Sequence, residues 1–169
     1  MDLFDAINAH RYLYLLQLDE PQDNVLRLVV AEGCTITSEK PSGSLPVSSA
    51  APIVADAQSA KYELFFESYV AYSVRNESFT VVDNEERFDG GLFRIYTASP
   101  FLQYVGAATI ASPDFGGRYQ HYGLVCLNHI VDVASAEEPR IRVLQCDEEF
   151  TQAVDRVIGK NVELYRRLS

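Results

Sequence analysis

The sequence predicts the α+β class: a mainly antiparallel, strongly curved sheet of about seven strands, a mid-chain helix (about 99–109) and a C-terminal amphipathic helix (about 147–168). Three observations carry this. Between Tyr62 and Val74 the even positions are Tyr62, Leu64, Phe66, Ser68, Val70, Tyr72 and Val74, whereas the odd ones include Glu63, Glu67 and Ser73. A period of two gives a strand one buried and one wet face, which favours antiparallel pairing, because parallel strands covered on both sides read as continuous apolar runs. The strand-like segments are grouped rather than alternating one to one with helices. Ser99-Pro100 marks a helix start, since Ser caps an orphan N–H and Pro at the first helical position has none to waste.

The elements follow in chain order. Leu3, Phe4 and Ile7 have helical spacing and allow a short N-terminal helix. Tyr12 to Leu18 and Val25 to Ala31 are rich in aromatic and branched residues, and the polar stretch Asp19 to Asn24 between them makes a hairpin turn. From about 33 to 61 the composition shifts to Ser, Ala and Pro, with Pro41, Pro46 and Pro52, and reads as an internal loop of a single domain spanning 1–169. Phe79 to Val82 reads as a returning strand, Asp83 to Gly91 as a polar turn and Leu92 to Thr97 as a strand.

Phe101, Leu102, Val105 and Ala108 form one stripe of the mid-chain helix, which a Gly-containing loop at Ser112 to Gly117 ends. His121 to Val133 is apolar at both parities and reads as one central strand buried on both sides, with Ile141 to Cys146 returning beside it. Phe150, Val154, Val157, Ile158, Tyr165 and Leu168 then share a helical face, with Asp147 to Glu149 at its positive end and Arg166 and Arg167 at its negative end.

Composition bounds the function. Against 14 Lys plus Arg stand 24 Asp plus Glu, a formal net charge of -10, and the three Lys and eleven Arg are scattered among the acids. That balance argues against a nucleic-acid binder, because the phosphate backbone is held mainly by Lys and Arg. No apolar run approaches the roughly 20 residues of a spanning helix, and Met1 to Asp5 lacks a basic, then apolar, leader, so the expectation is a cytoplasmic protein without membrane contact. Cys34, Cys126 and Cys146 give neither a disulfide framework nor a CxxC pair, and Cys126 and Cys146 read as buried thiols.

Signatures of chemistry are few. There is no GxSxG elbow, P-loop, dinucleotide fingerprint or HExxH, so no catalytic residue, metal site or cofactor is assigned. On a single strand His121 and His129 would stand about 26 Å apart at roughly 3.3 Å per residue, too far to share a metal. His129 and Asp132 would face opposite sides, and the expectation is that Asn128, His129 and Asp132 satisfy one another or nearby backbone. The sharper alternative is a ligand-binding or catalytic pocket near Arg118, Tyr122 and His129 with Asp132.

The acids concentrate in turns at Asp83, Glu85, Glu86 and Asp89, at Glu137 and Glu138, and at Asp147 to Glu149. A solvated surface explains such clusters most simply, yet they would also speed the capture of a basic partner by electrostatic steering. The leading expectation is therefore a non-enzymatic acidic protein-binding module. Its size, acidity and lack of a catalytic signature have the general character of small bacterial immunity or inhibitor proteins that engage a basic protein. The alternative is the small-ligand-binding protein or enzyme with the pocket above. A third reading is a homo-oligomer whose exposed edge strand pairs with a second copy.

Overall fold

The computed structural model describes residues 2–35, 53–56, 58–81, 84–112, 114–115 and 117–144. They form eleven strands, two α-helices and one 3-10 turn, and every strand pairing is antiparallel. The expected single curved sheet of about seven strands is replaced by two sheets and a ribbon. Strands β1 (Leu13–Gln22), β2 (Val25–Glu32), β5 (Lys61–Phe66) and β11 (Arg140–Leu144) lie in the order β1-β2-β5-β11. Strands β6 (Tyr69–Asn76), β7 (Arg87–Gly90), β8 (Phe93–Ala98), β9 (Gln120–Val125) and β10 (His129–Ser135) make the second sheet, in the order β6-β10-β9-β8-β7.

The reason lies in turns that keep parity. Tyr62 to Val74 is not one strand: the chain leaves the first sheet after Phe66, turns at Glu67-Ser68 and enters the second at Tyr69. Two turn residues leave the even positions on the core side of both strands, so the alternation runs through the break. His121 to Val133 is likewise a hairpin of β9 and β10, turned at Cys126 to Asn128. Phe79 ends a 3-10 turn (Glu77–Phe79), and the described residues Thr80 and Val81 are not strand. Strand β7 occupies the end of the expected Asp83 to Gly91 turn.

Within the expected 33–61 loop, β3 (Cys34–Thr35) pairs with β4 (Ile53–Val54) as a two-stranded ribbon. The mid-chain helix stands as α2 (Pro100–Ala108), with the Ser99 hydroxyl accepting from the Leu102 N–H, and the short N-terminal helix as α1 (Leu3–Asn8). The expected C-terminal helix, Cys146 and Asp83 lie outside the described residues.

The two sheets enclose one core. Leu13, Leu15, Leu26, Leu28, Val30, Leu64 and Phe66 of the first meet Phe93, Tyr122, Leu124, Val131 and Val133 of the second, with Ile7 of α1 among them. Phe66 and Tyr122 touch across the layers, their ring centroids 5.6 Å apart. Each such side chain contributes roughly 1.5–3 kcal/mol on burial. Two asparagines fasten this layering. Asn8 Oδ1 accepts the N–H groups of Gly91, Leu92 and Phe93 at 2.8, 2.9 and 3.0 Å, while its Nδ2 donates to the Phe93 carbonyl. Asn128, in the β9–β10 turn, exchanges two hydrogen bonds with the Leu15 backbone, where the β1 register shifts.

The outer face of the first sheet carries a charge ladder. Asp19, Arg27, Glu63 and Arg142 alternate across β1, β2, β5 and β11, with Arg27 paired to Asp19 at 3.1 Å and both Arg27 and Arg142 donating to Glu63. Glu63 is thereby 1% exposed, so β5 is buried on both faces rather than wet on one. Among the described residues no helix is long and apolar enough to cross a membrane.

Candidate functional site

The outer face of the second sheet holds the candidate site. Alternation sends Tyr72, Tyr122, Leu124, Val131 and Val133 toward the core, so Ser73, Arg75, His121, Gly123, Ile130 and Asp132 face outward, as do Arg94 and Tyr96. Pairing places Ser73, Asp132, Gly123 and Arg94 in one row across β6, β10, β9 and β8, and Ala134, His121 and Tyr96 in the next. Helix α2 lies over part of this face.

The row is built around a missing side chain. A Cβ on Gly123 would come 2.7 Å from the Tyr96 ring, so Gly123 is what lets Tyr96 lie over the sheet. Tyr96 then stacks on the His121 imidazole, centroids 4.0 Å apart and planes 12° apart, and Phe101 of α2 packs on the same imidazole at 5.0 Å. His121 is 1% exposed and bonded at both nitrogens: Nε2 lies 3.1 Å from Asp132 Oδ1 and Nδ1 lies 2.8 Å from Ser99 Oγ. A carboxylate can only accept, so Nε2 donates; a neutral ring then accepts the Ser99 hydroxyl at Nδ1 while Ser99 Oγ caps α2. The second Asp132 oxygen receives Arg75 Nη2 at 2.9 Å.

Arg75, Asp132, His121 and Ser99 thus form one chain of bonds from the sheet surface to the helix cap. Its composition resembles a hydrolytic triad, but its placement does not serve one. Ser99 is 4% exposed, does not border the cleft described next, and already spends its oxygen on the Leu102 N–H. Cys126, expected from the sequence as a buried thiol, is buried, and burial pushes it up to about 12. Neither is placed to attack a substrate.

Beside the chain opens a cleft of about 740 Å3. Strands β6 and β10 supply Ser73, Arg75 and Asp132; α2 supplies Pro100, Phe101 and Tyr104; the segment before β7 supplies Val81, Asn84, Glu85 and Glu86. Tyr104 is 63% exposed, and its ring stacks on Phe101 with centroids 6.5 Å apart. Phe79 and Val81 are also exposed. Glu86 differs from the other acids of its segment. Burial, and then the nearby Asp132 charge, raise its carboxyl above the usual range despite Arg75, Arg94 and His121, and its side chain has no hydrogen bond or ion pair among the described residues. Asp132 and Arg75 neutralise each other, so the acids at the mouth set the cleft's sign.

The structure gathers some of the expected residues and separates others. Glu85 and Glu86 line the cleft; Asp89 is exposed on β7, and Glu137 and Glu138 are exposed in the β10–β11 turn. Asp132 is in the cleft, whereas Tyr122 is in the core against Phe66 and Phe93, with its hydroxyl pushed up to about 12 by burial and by Glu138. Arg118 is exposed in the segment before β9. His129 shares the core-side parity of Val131 and has a buried Nδ1 without a partner among the described residues. Arg118, Tyr122 and His129 therefore do not meet Asp132; its histidine is His121. Nor do Asn128, His129 and Asp132 satisfy one another, since Asn128 bonds Leu15. Sequence reading missed Arg75, Tyr96, Ser99 and Phe101 as members of the site, and only the Ser99-Pro100 helix start was a signal for any of them.

Among the described residues no group of three or more His, Cys, Asp or Glu side chains is placed to hold a metal ion. No protein-family model, curated protein sequence or solved structure matches this chain.

Proposed function

We propose that this protein is a non-enzymatic acidic binding module that engages a basic protein partner through the outer-face cleft and its acidic mouth. The observation that carries the reading is the company Glu85 and Glu86 keep: of the acidic positions singled out from the sequence for partner binding, they border a cleft that the exposed aromatic Tyr104 also lines. Charge steers a partner and sets its orientation, while burial of aromatic surface at the centre supplies affinity. Asp89, Glu137 and Glu138 extend the negative field without bordering the cleft. Masking the working surface of a cationic protein, as an immunity or inhibitor protein does, suits such a field. A cytoplasmic setting fits Cys34 and Cys126, which are free thiols.

The test is capture from extracts of the source cells with wild type and with the Glu85→Gln/Glu86→Gln double variant, at low and high salt. The reading expects a basic protein held by wild type at low salt and released both by salt and by the double variant. A partner retained equally by the double variant, or none at either salt, counts against it.

A further inference from the structure

Not every cation suits this cleft equally. We infer that the cleft takes an arginine side chain of the basic partner, with its guanidinium lying on Tyr104 and paired to Glu86, in preference to lysine. The inference deepens the basic-partner reading and rests on it.

Three features of the cleft carry it. The first is shape: Phe101 and Tyr104 stack with planes 27° apart, and the exposed Tyr104 ring lines the same cleft as Glu86. A guanidinium is planar and weakly hydrated, so it lies on an aromatic face where a compact, strongly hydrated ammonium gains less. The second is an unmet demand. The nearby arginines are committed elsewhere: Arg75 to Asp132, and Arg94 to the Gly91 carbonyl and the Tyr96 hydroxyl. The Glu86 carboxylate is left partly desolvated with both oxygens unpaired among the described residues, which a two-pronged donor answers better than a single one. The third is precedent on the same face: the Arg94 guanidinium lies 4.2 Å over the Phe88 ring while donating to oxygen, the combination proposed for the incoming side chain.

Fluorescence anisotropy with labelled octaarginine and octalysine tests this on the full chain, with Glu86→Gln, Tyr104→Ala and a Glu137→Gln/Glu138→Gln control. Both single substitutions fall on exposed or half-buried side chains, and their melting curves check folding. Wild type is expected to bind octaarginine about tenfold more tightly than octalysine. Glu86→Gln and Tyr104→Ala should each erase most of that preference, and the control should keep it. Equal binding of the two peptides to wild type, or a preference that survives both single substitutions, overturns the inference. If both peptides bind equally and Glu85→Gln/Glu86→Gln abolishes that binding, the arginine inference fails and the basic-partner reading stands. If neither peptide binds, both fail.

Discussion

His121 Nε2 lies 3.1 Å from Asp132 Oδ1, two buried side chains on neighbouring strands whose pairing sets them diagonally, Asp132 opposite Gly123 and His121 opposite Ala134. The contact ties the cleft to α2, because the same imidazole reaches the helix cap at Ser99. Replacing His121 with Phe keeps a ring between Tyr96 and Phe101 but strands Asp132 Oδ1 and the Ser99 hydroxyl. The expected loss is about 2–4 kcal/mol in urea unfolding. A cycle with Asp132→Asn should be non-additive by about 1 kcal/mol or more. Additive losses would mean that the two side chains do not act as a pair.

Glu63 makes stability depend on acid. Burial works against its ionisation, but the hydrogen bonds and charges of Arg142 and Arg27 together outweigh burial and hold the carboxyl below its ordinary 4.5. A depressed folded-state value stabilises the fold above the unfolded value, and the gain disappears as pH falls through the folded one. Glu63→Gln should therefore lower stability at pH 7 by about 1–3 kcal/mol, and the gap to wild type should close under acid conditions below that depressed value. Urea midpoints at the two pH values check this; a gap independent of pH contradicts it.

Asn8 satisfies three consecutive N–H groups of the β7–β8 turn with one oxygen. Asn8→Ala should cost about 1–2 kcal/mol, since the part-buried N–H groups of Leu92 and Phe93 lose their acceptor while the exposed Gly91 N–H can turn to water. Hydrogen exchange gives the local readout: the amides of Gly91, Leu92 and Phe93 should lose protection before the rest of the second sheet does.

Glu86 predicts how binding responds to pH. Its carboxyl titrates above the ordinary 4.5, chiefly through burial, and a bound cation favours the ionised form. Affinity for a basic peptide should hold at neutral pH and weaken as pH falls through that raised value, sooner than an ordinary carboxylate would allow. In Glu86→Gln that early fall should vanish, and because a raised carboxyl value destabilises the fold at neutral pH, the variant should be no less stable there. Titrations at stepped pH on the two proteins measure it.

These relationships were unevenly legible in the sequence. The Ser99-Pro100 cap placed α2 within a residue, because capping is local chemistry. Antiparallel pairing was readable from alternation, but the layer count was not, since the turn at Glu67-Ser68 keeps parity and the turn at Cys126 to Asn128 has neither Gly nor Pro to break an apolar run. That hidden hairpin concealed the His121–Asp132 contact, which becomes possible only when the two residues sit on adjacent strands. Tyr96 and Gly123 were equally silent, being 27 residues apart and joined only by sheet register. The acids at Glu85 and Glu86 were visible as charge; that Phe101 and Tyr104 line the same cleft is a product of the fold.

Where a basic ligand lands on the protein is the most direct test of the cleft's role. Backbone amide shifts of the labelled full chain, followed while octaarginine is added, locate the contact. The account predicts perturbations concentrated at Ser73, Arg75, Glu85, Glu86 and Tyr104, lost in Glu85→Gln/Glu86→Gln. Perturbations centred on Glu137 and Glu138, with the cleft amides unmoved, would contradict it.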